Sequence, residues 1–154
     1  MNVNHFISAY VLLVVGTILW AVWKRIKIRK QIDALAQGAI EITPEEFMEV
    51  RRAGIVGKNA IYTDFEGVYI LHNRTKDQYY IGQGKSVFSR VNKHFTGSGN
   101  GDVYADYKYG DDFSIKLIEL EGSGFSSLNE LERVMIERYD AFGKGYNKTR
   151  GNAG

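Results

Sequence analysis

Residues 67–84 read GVYILHNRTKDQYYIGQG, and this stretch decides the fold. Val68 to Leu71 and Gln78 to Ile81 are two short runs of β-forming residues, and the polar stretch His72 to Asp77 between them suits a hairpin turn. Two antiparallel strands are therefore expected. Side chains alternate along a strand, so Gly67, Tyr69 and Leu71 share one face and Tyr80 and Gly82 share a face of the second strand. If those faces coincide, two phenols stand side by side next to glycines that allow close approach. Tyrosine pairs on strands are mostly ordinary cross-strand packing, so the pattern needs support from elsewhere.

The downstream sequence supplies it. Ser86 to Phe95 has helical periodicity, with Val87, Phe88, Val91 and Phe95 on one face. Arg90 and His94 sit together at the edge of that face, one turn apart. Alone they read as an exposed arginine and a half-buried histidine; together they can point a cation and an imidazole at one anionic ligand. The glycine-rich run Thr96 to Gly101 is a loop, Asp102 to Tyr109 a short helix, and Phe113 to Leu120 a third strand. Ser127-Leu128-Asn129-Glu130 is a capping-box pattern opening a helix that runs to about Tyr139. On that helix Glu132 falls inside the apolar arc of Leu128, Leu131, Met135 and Ile136. A carboxylate facing a core needs a cation, a hydrogen-bond donor or a metal to offset its desolvation. A satisfied buried glutamate and a metal ligand both meet that need.

Taken in order, these elements resemble the GIY-YIG nuclease superfamily. Gly67-Val68-Tyr69 is followed after ten residues by Tyr80-Ile81-Gly82, then by Arg90, His94 and Glu132, and Gly145-Tyr146-Asn147 closes the pattern. One triplet would carry no weight; five elements in order and spacing do. The departures are Val68 in place of isoleucine, and the absence from residues 97–102 of a further histidine found in some homing enzymes, which leaves the leaving-group acid unassigned.

The resemblance implies an α+β domain, a central three-stranded, mainly antiparallel sheet flanked by helices, acting as a metal-dependent endonuclease on DNA. It implies that Glu132 holds one divalent metal, Mg²⁺ by its preference for oxygen ligands, and that no small-molecule cofactor is used. By the same resemblance Arg90 contacts the scissile phosphate, Tyr80 acts as general base toward water, Tyr69 orients water or phosphate, and His94 assists proton traffic. Gly67 and Gly82 are then steric and structural, and Asn147 ties the final segment to the sheet. Lys85 and Lys93, with Gln83, are weak candidates for contacts to flanking phosphates, and equally plain surface residues. Residues 67–154 hold 12 Lys or Arg against 11 Asp or Glu, so DNA binding is expected to be weak, salt-sensitive and largely non-specific. The alternative, from a different class, is a membrane-tethered nucleic-acid or protein docking module with little or no catalysis. The pattern carries no signal of oligomeric state.

The N-terminal part is of another kind. Of 154 residues, 20 are Lys or Arg and 18 Asp or Glu, yet residues 1–23 carry none of these. Phe6 to Trp23 is an apolar run of roughly 27 Å as helix, close to the bilayer core. Five cations follow it within Lys24 to Lys30. A cleaved signal peptide has its positive charge before the apolar stretch, and a core helix of this length normally carries some charge, so a single transmembrane helix is expected. The positive-inside rule puts the N-terminus outside and the rest in the cytoplasm, anchored in the inner or plasma membrane, with the cations available to lipid headgroups. The expected organisation is thus 1–30 span and basic collar, 31–65 connector, 66–154 nuclease domain. In the connector Thr43-Pro44-Glu45-Glu46 is a helix start, and the helix should stop near Gly54. The absence of cysteine excludes disulfides, cysteine zinc sites and a thiol nucleophile.

Overall fold

The structure is a computed structural model that describes residues 3–56 and 63–152, with side chains from Tyr10 onward. It divides into two units, Met1–Gln37 and Gly38–Gly154. The first is essentially helix α1 (Val3–Gly38). Its described apolar side chains are exposed on all sides rather than gathered in one stripe, Tyr10, Leu12, Leu13, Leu19, Trp20 and Trp23 among them. The expected transmembrane helix finds no support here, because among the described residues no helix is long and apolar enough to cross a membrane. The start of the expected span, from Phe6 to Ala9, lies outside the described side chains.

The second unit has the order β1 (Glu41–Ile42), α2 (Pro44–Arg52), β2 (Gly67–Asn73), β3 (Gln78–Gly84), α3 (Val87–Phe95), α4 (Gly101–Tyr109), β4 (Phe113–Glu119) and α5 (Leu128–Arg138). The strands form one antiparallel sheet in the order β1-β4-β2-β3. It has four strands, not the expected three. The extra strand comes from the connector: Glu41 pairs with Lys116 and Ile42 with Ile115. A hydrogen bond from Ser114, the Arg74 guanidinium and the Lys116 charge hold Glu41 down at about 2, so β1 is pinned electrostatically as well.

The connector also feeds the core. Thr43 and Glu46 form a complete capping box on α2, which ends at Arg52 before Gly54 turns left-handed at φ 64. Phe47 on α2 is fully buried and stacks on Phe88 of α3, ring centroids 5.1 Å apart. One face of the sheet carries Tyr69 and Leu71 into a cluster with Phe47, Val87, Val91, Phe95, Val103, Phe113, Ile115 and Tyr146. By strand alternation Val68 and Ile70 point the other way, and the buried Leu131, Met135 and Ile136 bring α5 to that second face.

The helix that matters most, α3, begins without a side-chain cap from its own N-cap residue Ser86. Asp64 replaces it: its carboxylate accepts from the N–H groups of Phe88 at 2.9 Å and Ser89 at 3.1 Å. These are orphan donors of a first turn, and a carboxylate there also complements the helix dipole. On α5, Ser127 accepts from the Glu130 N–H, but Glu130 turns to Ser126 Oγ, so only half of the expected capping box forms.

Candidate active site

The β2–β3 register places Tyr69 opposite Gly82, Leu71 opposite Tyr80, and Gly67 opposite Gly84. The two tyrosine faces therefore coincide, as strand alternation requires. Gly82 has to be glycine because a Cβ there would overlap the Tyr69 ring at Cζ and Oη. Gly84 serves Arg90 in the same way: a Cβ at Gly84 would come within 2.7 Å of Arg90 Cγ. The arginine stem lies across the bare backbone, and its head stays exposed.

Tyr69, Tyr80 and His94 form a compact triangle, with ring centroids 6.2 Å apart for the tyrosines, 5.4 Å for Tyr69 with His94 and 4.7 Å for Tyr80 with His94. Tyr80, Arg90, Lys93, His94, Ser98, Gly99 and Asn100 line a cleft of about 310 Å³. Lys85 is exposed and does not line it. A larger depression, about 720 Å³, lies at Asp64, Glu66, Glu119 and Glu121; its carboxylates oppose a polyanion and none of the residues above reaches it.

Proton positions in the triangle follow from its hydrogen bonds. His94 Nδ1 accepts from the Asn100 N–H at 2.9 Å. Burial, and then the Arg90 charge, hold His94 down at about 4, so near neutral pH the ring is uncharged. With Nδ1 accepting, its proton must be on Nε2, which donates to Tyr69 Oη at 2.9 Å. The Tyr69 hydroxyl proton is then free to turn away from His94, with Tyr80 and the Arg90 charge as its electrostatic neighbours. Burial raises both phenols; Tyr80 adds to the rise at Tyr69, which Arg90 opposes. For Tyr80 the Arg90 charge and the Tyr69 hydrogen bond both favour the phenolate, while the Glu132 charge disfavours it.

Glu132 is 8% exposed, as its place in the apolar arc of α5 implies. It sits across the β3 edge from α3, close enough for its charge to act on Tyr80 and for Arg90 to act on it. Burial raises its carboxyl, and the Asn152 N–H, Gln83 and Arg90 partly offset that rise. Gln83 Nε2 donates to Glu132 Oε2 at 2.9 Å and to Asn129 Oδ1 at 2.7 Å. Gln83 had been grouped with phosphate contacts; its two amide hydrogens are instead both committed within the protein. Among the described residues no hydrogen bond falls on Glu132 Oε1. Among the described residues no buried side-chain oxygen is left without a partner, so Oε1 is open to solvent.

That oxygen suits a hard cation. Among the described residues no group of three or more His, Asp or Glu side chains could hold a metal. A single carboxylate oxygen is nonetheless enough for a hydrated divalent cation such as Mg²⁺, which keeps several waters and completes its shell with substrate phosphate.

Asn147 clamps the free edge of β3: Oδ1 accepts from the Ile81 N–H and Nδ2 donates to the Ile81 carbonyl, both at 2.8 Å. The Tyr146 N–H adds a bond to the Tyr79 carbonyl at 2.9 Å. Gly67, opposite Glu119 on β4, has no room for a Cβ because the Ile118 carbonyl stands there. Sequence reading missed three supporting residues, Asp64, Asn100 and the true role of Gln83. Only Asn100 left a local signal, as an Asx residue before a helix; it caps α4 by accepting from the Asp102 and Val103 N–H groups.

The GIY-YIG catalytic domain family matches residues 65–147. Among solved structures, a mutant form of the catalytic domain of intron endonuclease I-TevI is similar, at 21% identity and a TM-score of 0.44, covering 58% of this chain and 98% of that one. No curated protein sequence matches. Tyr80, Arg90 and His94 line one cleft with Tyr69 packed behind them, the family's match spans more than half of the chain, and the chain belongs to the GIY-YIG family as an endonuclease-type enzyme.

Proposed function

We propose that the protein is a membrane-anchored endonuclease that hydrolyses DNA phosphodiester bonds with one divalent metal, Mg²⁺, held at Glu132. The observation that carries the catalytic part is the pair of hydrogen bonds running from Asn100 through His94 to Tyr69, packed against Tyr80 with the charges of Arg90 and Glu132 acting on it. Arg90, exposed at the cleft, binds the scissile phosphate through paired N–H donors. Tyr80, as phenolate, takes a proton from the attacking water while the water oxygen bonds to phosphorus and the bond to the 3′ oxygen breaks. Tyr69 holds Tyr80 in place and stabilises its charge by donating to it, and His94 fixes the direction of Tyr69. The metal, when bound, neutralises charge developing on the phosphate and the departing oxygen. Lys93 lines the cleft and supplies a further contact to a flanking phosphate; Lys85 contributes at most a peripheral one.

The anchor is the N-terminal segment in the inner or plasma membrane, with the N-terminus outside and the nuclease domain cytoplasmic. Its support is the order of charge in the sequence, an uncharged run over residues 1–23 followed by the basic collar. Lys24 over Trp20 and Lys27 over Trp23, each 5.4 Å from the ring centroid, form the aromatic and cationic girdle expected at a headgroup boundary. The tether raises local concentration for DNA passing the membrane, which offsets weak non-specific affinity and suits incoming foreign DNA as the target.

The decisive experiment is plasmid nicking with Mg²⁺ by the full-length chain and by its Arg90→Ala and Glu132→Ala variants. Loss of nicking in both variants is expected; equal activity in all three removes the mechanism. An inactive wild-type chain that still binds DNA would point to a docking module. A C-terminal reporter active only outside the cytoplasm should stay silent, and a signal from it would reverse the topology.

A further inference from the structure

We propose that Gln83 is a positioning residue for the metal-holding carboxylate: it ties Glu132 Oε2 back to the protein so that Oε1 alone is presented to a divalent cation. This rests on the reading of Glu132 as the metal holder.

The placement follows from strand alternation. Tyr80 and Gly82 face the α3 side of the sheet, so Gln83, one residue later, points to the side covered by α5. There it meets Asn129 and Glu132, three residues apart and so neighbours on the α5 surface. A glutamine amide nitrogen carries two hydrogens, and here one goes to Asn129 Oδ1 at 2.7 Å and the other to Glu132 Oε2 at 2.9 Å. Asn129 thus fixes the amide, and the amide fixes the carboxylate. The Asn152 N–H approaches the same Oε2 at 3.5 Å. Among the described residues the protein donors converge on Oε2, and none reaches Oε1.

The choice of residue matters chemically. A lysine or arginine here would neutralise Glu132 and compete with the cation. A leucine would leave the carboxylate free to rotate and desolvated on one side. A neutral double donor orients the carboxylate while leaving its charge available to the metal. Partners of this kind, one step removed from the ion, typically alter metal affinity by 10–100-fold when lost.

The test uses the full-length chain in detergent without DNA, titrated with Mn²⁺ and read by the electron paramagnetic resonance signal of the free ion. Gln83→Leu should weaken Mn²⁺ binding about 10-fold. Asn129→Ala should weaken it in the same direction but less, and carries the test if Gln83→Leu does not fold. Glu132→Ala should remove the site, and adding Gln83→Leu to it should change nothing further. If both Gln83→Leu and Asn129→Ala fold and bind Mn²⁺ like wild type while Glu132→Ala does not, Gln83 has no positioning role and the metal assignment stands. If Glu132→Ala itself binds like wild type, the metal assignment fails and the role of Gln83 with it.

Discussion

Tyr69 Oη lies 2.9 Å from His94 Nε2, and it is the acceptor in that hydrogen bond, because the Asn100 N–H already occupies His94 Nδ1. A backbone amide on a glycine-rich loop therefore decides that the His94 proton is spent on Tyr69, the neighbour of Tyr80. Arg90 reaches the same triangle from one turn earlier on α3, and Asp64 holds the start of that helix. The catalytic face is a product of the α3 register, and the register is fixed from both ends.

His94 makes stability sensitive to acid. Its folded-state value of about 4 lies below the ordinary 6.5, so at intermediate pH the unfolded chain binds a proton that the native state refuses. Stability contributed by the neutral imidazole is complete above about pH 6.5 and is lost as pH falls toward 4, by up to about 3 kcal/mol. Glu132 is shifted upward and works in the opposite direction. A comparison of urea midpoints between pH 7 and pH 4.5 for wild type and His94→Gln isolates the histidine. The variant should start lower and show a flatter pH dependence; parallel curves would contradict the buried neutral assignment.

Tyr80 as base dictates the shape of the rate profile. Burial keeps its phenol above the usual tyrosine range, so only a small fraction is ionised near neutral pH. Single-turnover nicking should therefore rise about tenfold per pH unit from pH 7 toward pH 9. Tyr80→Phe should lose both most of the rate and the slope. A mutant that keeps the slope at reduced rate would hand the base role to another group. Tyr69→Phe should slow the reaction while retaining the slope, since it removes the acceptor of His94 Nε2 and a neighbour of Tyr80 but not the base itself.

What could be read in the sequence depended on periodicity. The shared face of Tyr69, Tyr80 and Gly82, the edge position of Arg90 with His94, and the inward turn of Glu132 all follow from 2- and 3.6-residue repeats acting over seven residues or more. Strand β1 has two residues, too few to show a period, and exists only because Lys116 and Ile115 offer their free backbone edge. Asp64 caps a helix that starts 23 positions later in the chain, and Gln83 meets Glu132 across 49, distances at which local pattern is silent. Residue type alone therefore leaves Gln83 between a weak phosphate contact and a plain surface residue. Membrane anchoring rests on composition and charge order, a different kind of signal from packing.

Gly82→Ala tests how tightly the two tyrosines are constrained. The added Cβ would overlap the ring of Tyr69, which is fully buried and has nowhere to swing. A loss of about 1–3 kcal/mol in urea unfolding is expected from overpacking. Because Tyr69 must move, activity measured where the variant is fully folded should fall about 100-fold. Gly67→Ala provides the contrast, since its clash is with the Ile118 carbonyl of β4. It should cost stability with a smaller catalytic penalty. Equal catalytic losses from the two would mean that Gly82 acts only through the sheet.

Asn147 joins the end of the domain to β3 through two hydrogen bonds, both to Ile81 and both 2.8 Å long. β3 is the edge of the sheet, so without this side chain the Ile81 N–H and C=O lose their partners on a face that is otherwise packed. Asn147→Ala should cost about 2–3 kcal/mol, the sum of two such bonds when the groups left behind are partly buried. Amide hydrogen exchange offers a sharper reading: protection at Ile81 should drop in the variant while protection at Ile70, in the sheet interior, follows only the global change. Activity per folded molecule should fall far less than in Arg90→Ala, because Asn147 touches backbone and not the cleft. A catalytic loss as large as that of Arg90→Ala, with Ile81 still protected, would move Asn147 from the scaffold to the reaction.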